Sequence, residues 1–136
     1  MLQGGCLCGC VRYEVGEFLT PPVHCNCATC RKRQGAAIST NAGVSVNQFR
    51  LLSGDELINS FESSPGKRGY FCSACGSHLY AKHDSREALI LRLGCLDDDQ
   101  EVPPPTAHIW RSDAAEWFDP KEQLKELPEG RRPKST

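Results

Sequence analysis

HCNCATC, residues 24–30, brings Cys25, Cys27 and Cys30 within six residues of one another, three thiols close enough to grip one metal ion. Zinc in a closed structural site takes four ligands in a tetrahedron, so this stretch is one ligand short. Two further pairs flank it: Cys6 with Cys8 in GGCLCG (4–9), and Cys72 with Cys75 in FCSACG (71–76). Together they can close a separate four-sulfur site. In Cys6-Leu-Cys8 alternate residues share a face, with Gly4, Gly5 and Gly9 beside them to bend the chain, and the C-x-x-C turn ends on Gly76, free to turn left-handed. The chain therefore reads as a sealed site and an open one. The other use of the four cysteines is as buried small hydrophobes or redox thiols. Their spacing and flanking glycines favour metal, and zinc is a commoner structural choice than iron.

Six residues are candidates to close the Cys25, Cys27, Cys30 group: His24, His78, His83, His108, Cys10 and Cys95. His108 has the strongest claim because it lies in the aromatic segment HIW, whereas His83 falls in a polar turn and His78 beside a structural pair. A closed group makes the protein a two-zinc structural module. An open one accepts water or an exogenous thiol, whose proton the ion helps to remove. Arg31, Lys32 and Arg33 follow directly. They are either a solvated basic loop or the groups that steady thiolates and receive a substrate's carboxylates, with Arg31 the best placed.

Outside the cysteines the pattern is that of strands. CVRYEV (10–15) alternates Val11, Tyr13 and Val15 with polar neighbours. TPPV (20–23) breaks regular structure, and GAAISTNAG (35–43) reads as a short strand of small residues. FRLL, ELINSF, RGYF, SHLYA and ALILRLG are further strands, punctuated by SGD, SSPGK and HDSRE. No segment carries a convincing helical stripe, although DAAEWF and PKEQLKEL each have room for a turn or two. The fold class expected is mainly β. One domain over residues 1–126 and a disordered tail over 127–136 complete the reading.

The chain has 136 residues, nine cysteines and a formal charge of −1. Seven thiolates with two zinc ions would add three negative charges and bring it to about −4. That balance, and the want of a basic aromatic surface, argue against a nucleic-acid partner despite the RRPK tail. No apolar run is long enough to span a bilayer, and the start MLQGGC lacks the regions of a signal peptide, so a cytoplasmic, reducing location is expected. Exposed strand edges would permit a homodimer.

GGCLCGCVRY, HCNCATCRK, FCSACGSHLY, GCLDD, and HIW followed by EWF, in that order, resemble the glutathione-dependent formaldehyde-activating enzymes, a family that includes the centromere protein V group. The resemblance covers nearly the whole chain apart from its tail. It implies a β-tent fold of small antiparallel sheets around zinc sites, with Cys6, Cys8, Cys72 and Cys75 as structural ligands and Cys25, Cys27 and Cys30 as catalytic-type ligands. It further implies a carbon–sulfur lyase that joins glutathione to formaldehyde as S-(hydroxymethyl)glutathione, with Arg31 or Lys32 meeting the carboxylates. A non-catalytic zinc module that binds a thiol or a protein partner is the alternative. Cys10 and Cys95 stand outside the family pattern.

Overall fold

A computed structural model describes residues 1–131; of the tail expected over 127–136, residues 132–136 lie outside the described part. The strands in chain order are β1 Leu2–Gly5, β2 Arg12–Val15, β3 Val23–Cys25, β4 Ser39–Ser45, β5 Phe49–Ser53, β6 Ile58–Ser64, β7 Lys67–Cys72, β8 His78–His83, β9 Ala88–Arg92 and β10 Ala107–Ile109. One α-helix, α1, covers Ala28–Gln34. The mainly β expectation holds.

Two sheets form the body. The smaller runs β1-β2-β5, antiparallel throughout; the larger runs β10-β3-β4-β9-β8-β7-β6 and is antiparallel except at its β10-β3 edge. In β2 Tyr13 and Val15 are fully buried while Arg12 and Glu14 are half-buried, the alternation read from CVRYEV. Their burial against Val11, Val44, Leu79, Leu89 and Leu91 joins the two sheets into one core, and Cys6 and Cys72 belong to the same cluster. At about 1.5–3 kcal/mol for each large apolar side chain removed from water, this cluster is the main source of stability besides any metal.

The strands expected at FRLL, ELINSF, RGYF, SHLYA and ALILRLG appear as β5 to β9. Three differences from the expected pattern bear on the site. The run GAAISTNAG does not begin as a strand: Gly35, at φ 61°, caps α1, and β4 starts only at Ser39. DAAEWF and PKEQLKEL form no α-helix; a single 3-10 turn at Arg111–Asp113 precedes short turns. Ala107–Ile109, ending on the first two residues of HIW, form β10, which pairs in parallel with β3 so that Ile109 lies opposite Cys25. The edge is pinned where the proline run ends, by the Thr106 N–H donating to the Pro22 carbonyl at 2.9 Å.

Candidate metal centres and the thiol cavity

The Sγ atoms of Cys6, Cys8, Cys72 and Cys75 all lie within 4.8 Å of one another, brought together by the loop after β1 and the β7-β8 turn. Cys6 to Cys8 measures 3.5 Å and Cys8 to Cys72 measures 3.9 Å. Four sulfurs about 2.3 Å from a tetrahedral zinc stand about 3.8 Å apart, so the quartet fits such an ion. Hydrogen bonds shape it beforehand. The Val11 N–H donates to Cys6 Sγ at 3.2 Å, and the Leu7 N–H is held by Ser77 Oγ at 2.9 Å. Contact with Ser77 also holds the Cys75 thiol down to about 5.

The second group comes from a strand end and a helix start. Cys25 closes β3, Cys27 is the N-cap of α1, and Cys30 lies one turn into it as the helix's buried residue. Cys27 takes the capping position usual for a serine or aspartate, its sulfur accepting from the Cys30 N–H at 3.4 Å. Seven residues make about two turns, too short to show an apolar stripe, and so the helix is not visible in the sequence. All three sulfurs lie within 4.8 Å of one another.

Electrostatics favours a cation among them. Burial pushes the Cys25 thiol up to about 12 and also raises Cys30. Burial acts the same way on Cys27, but the Cys30 N–H and the neighbouring thiols outweigh it and leave that group lowered. Without a metal, ionising one of the three thiols works against ionising the others. With a divalent ion, three thiolates carry a net charge of −1, and the buried Arg92 guanidinium beside them carries +1. The donor set therefore fits zinc.

None of the six candidates for a fourth ligand joins this group among the described residues. His24 Nδ1 pairs with Thr40 Oγ1 at 2.8 Å, and His108, the favoured candidate, turns its Nδ1 to Asn26 Nδ2 at 3.3 Å. His78 Nδ1 accepts from Gln34 at 2.7 Å. His83 Nδ1 accepts from Ser85 Oγ, also at 2.7 Å. Cys95 donates to the His78 carbonyl at 3.4 Å, and Cys10 is exposed on the loop after Cys8.

Instead the three thiols open onto a cavity of about 470 Å³, a size ordinary for small-molecule sites. Its remaining wall carries Lys67, His83, Arg86 and Arg92 but no carboxylate. Lys67 and His83 are register partners on β7 and β8, and Arg86 follows in the β8-β9 turn, its N–H donating to the His83 carbonyl at 3.0 Å. Lys67 and Arg86 enter no ion pair among the described residues. Arg31 and Lys32, the cations expected here, do not line the cavity. Arg31 points along the outside of α1 and donates to the Asn26 and Asp113 carbonyls at 3.4 and 3.1 Å; Lys32 is exposed. A helix turns about 100° per residue, so adjacency to Cys30 carries its neighbours off the face that Cys30 presents.

Two residues to which the sequence motifs assign no part in the site complete it. Asn26, fully buried between Cys25 and Cys27, receives Arg111 on its Oδ1 at 2.9 Å and donates to the Ile109 carbonyl from Nδ2 at 3.1 Å and from its backbone at 3.0 Å. Trp110, next in chain, lies in the left-handed region at φ 57° and ψ 39° and lines the cavity. For a residue with a Cβ that conformation costs about 1–2 kcal/mol.

These sheets, the two cysteine groups that could hold metal ions and the cavity beside one of them define a β protein of the metal-site class. The chain matches the family described as glutathione-dependent formaldehyde-activating enzyme over residues 1–113, and it belongs to that family. A Halomonas elongata protein whose name assigns it provisionally to the same activity is 29% identical over 132 residues, covering 88% of this chain and 80% of its own. A crystal structure of a Rhodobacter sphaeroides protein shares the fold with a TM-score of 0.63 at 23% identity, covering 79% of this chain and 99% of that one.

Proposed function

We propose that residues 1–126 form one zinc-binding domain acting as a carbon–sulfur lyase of the S-(hydroxymethyl)glutathione synthase type. The observation that carries the reading is the three-thiol group of Cys25, Cys27 and Cys30 at the wall of a cavity that Lys67, Arg86 and Arg92 also line, with no carboxylate. Zinc held by these three cysteines would leave a coordination position at which a thiol loses its proton, while Cys6, Cys8, Cys72 and Cys75 would hold a structural zinc.

The chain's own groups do the rest. Lys67 and Arg86, both free of ion pairs among the described residues, receive the carboxylates of a glutathione-type thiol and fix its direction of entry. Arg92 keeps negative charge on sulfur favourable in a buried place. Sulfur then adds to the carbonyl carbon of formaldehyde: an S–C bond forms, the C=O π pair moves to oxygen, and the proton lost by the thiol ends on that oxygen. Reversal cleaves the adduct. Since this addition is intrinsically easy, proximity and deprotonation are the whole of the catalytic contribution. Seven of the nine cysteines fall in the two groups that would hold metal, which accords with a reducing, cytoplasmic setting.

The test is exchange NMR of glutathione and formaldehyde with the zinc-loaded protein. Interconversion with S-(hydroxymethyl)glutathione should run well above the spontaneous rate. Glutathione binding without acceleration would replace the enzyme by the binding module, and absence of both would end the reading.

A further inference from the structure

Trp110 stands apart from the residues that explain themselves by packing. The residue is 59% exposed, yet its backbone sits at φ 57°, where glycine or asparagine is usual. An exposed aromatic in that conformation gains little from the core to offset the strain. The segment is held rather than left to relax. Ile109 before it is locked to Cys25 by the β10-β3 register and to Asn26 by two hydrogen bonds, Arg111 after it reaches Asn26 Oδ1 at 2.9 Å, and the Asp113 N–H closes on the Trp110 carbonyl at 3.0 Å. Asn26 lies between two cysteines of the triad, so the triad and Trp110 share one buried anchor. Trp110 borders the cavity together with Ile109, with Lys67, His83 and Arg86 also on its lining.

We propose that Trp110 is a binding and specificity residue of the thiol cavity. Its strained backbone holds the indole as a wall against the body of a peptide-sized anionic thiol, so that the site prefers such a thiol to a small one. The inference rests on the thiol-binding reading above. It adds which residue senses the size of the ligand. An indole face suits a peptide-like ligand because it offers a large rigid surface at low entropic cost. A two-carbon thiol seated at the cysteines lacks the length to use it.

The experiment uses the full zinc-loaded chain, with glutathione and 2-mercaptoethanol as probes in calorimetric titrations. Trp110→Gly, which fits the left-handed backbone, should weaken glutathione at least tenfold and 2-mercaptoethanol less than twofold, while its melting temperature stays within about 3 °C of the parent or rises. Trp110→Phe should recover most of the glutathione affinity. In Trp117→Phe, Trp110 is the remaining tryptophan, and its emission should change on titration with glutathione. Parent protein that binds glutathione with Trp110→Gly binding equally well, or with both thiols weakened alike, overturns the role of Trp110 and leaves the function standing. A fall in melting temperature of more than about 8 °C in Trp110→Gly would show a packing residue instead. Parent protein that binds neither thiol overturns both.

Discussion

Arg92 Nη1 stands 4.0 Å from Cys30 Sγ and donates to Asn41 Oδ1 at 2.6 Å and Ser39 Oγ at 3.0 Å, so the buried guanidinium has neutral partners and a sulfur, with no carboxylate in any ion pair among the described residues. A cation 7% exposed needs compensating charge. The thiolates of the triad are the nearest source, and they in turn need Arg92 to balance what a divalent ion leaves. Arg92→Met keeps the length and removes the charge. Zinc at the triad should then be lost to a competing chelator at a concentration at least tenfold lower than in the parent, while one tightly held equivalent remains at the four-cysteine site. Unchanged retention of both equivalents would show that the triad does not depend on this charge.

The two cysteine groups should fail differently. Cys27 caps a short helix and is half-buried, and serine is itself a favoured N-cap, so Cys27→Ser keeps α1 while removing a ligand. Cys72 is fully buried in the core cluster, where serine adds a hydroxyl and a structural zinc at the proposed site would lose its hold. Zinc content should drop by about one equivalent in Cys27→Ser with the circular dichroism spectrum retained, whereas Cys72→Ser should be recovered unfolded or aggregated. Equal damage from both would contradict the division into an open and a structural site.

The cysteine grouping was legible in the sequence because metal ligands on one turn or one strand end need short fixed spacings, and those spacings survive folding. The β class was legible for a similar reason: β2 and the run β5 to β9 alternate or carry branched residues between clear turns. The cations of the cavity were not. Lys67 and Arg86 share the cavity lining with the triad because β7 and the turn after β8 come beside it, placements made far from Cys30 in sequence, whereas Arg31 and Lys32 follow Cys30 directly and rotate away on a helix too short to announce itself. Asn26 and Trp110 lie within HCNCATC and HIW, but neither segment tells what they touch. Their roles exist only once β10 lies beside β3.

Lys67 and Arg86 set a charge test. If they receive carboxylates, Lys67→Ala and Arg86→Ala should each raise the glutathione dissociation constant about fivefold to thirtyfold, roughly 1–2 kcal/mol, and the effect should shrink as salt is added. A neutral thiol such as 2-mercaptoethanol should bind each variant as it binds the parent. Isothermal titration at low and high salt reads this directly. Equal losses for charged and neutral thiols would point to a damaged cavity rather than missing cations.

His78 makes a prediction about acid. Burial, together with the charges of Arg92 and Arg33, holds the ring down to about 3, against an ordinary value of 6.5. A group whose folded value is depressed supports the fold fully above its unfolded value, and that support is lost as pH falls from 6.5 towards 3. Nothing is lost at pH 7. By pH 5 the unfolded chain's hold on the extra proton costs the native state about 2 kcal/mol. His78→Gln can keep an acceptor for Gln34 without a titrating ring, so it should be less stable than the parent at neutral pH yet lose less on acidification. The stability gap between the two chains, measured by urea unfolding with zinc in excess, should narrow by about 2 kcal/mol between pH 7 and pH 5. Protonation of the cysteine ligands weakens both chains alike and cancels in that difference. A gap that stays constant across the interval would mean that His78 titrates near its ordinary value, and that the buried charges beside it are screened.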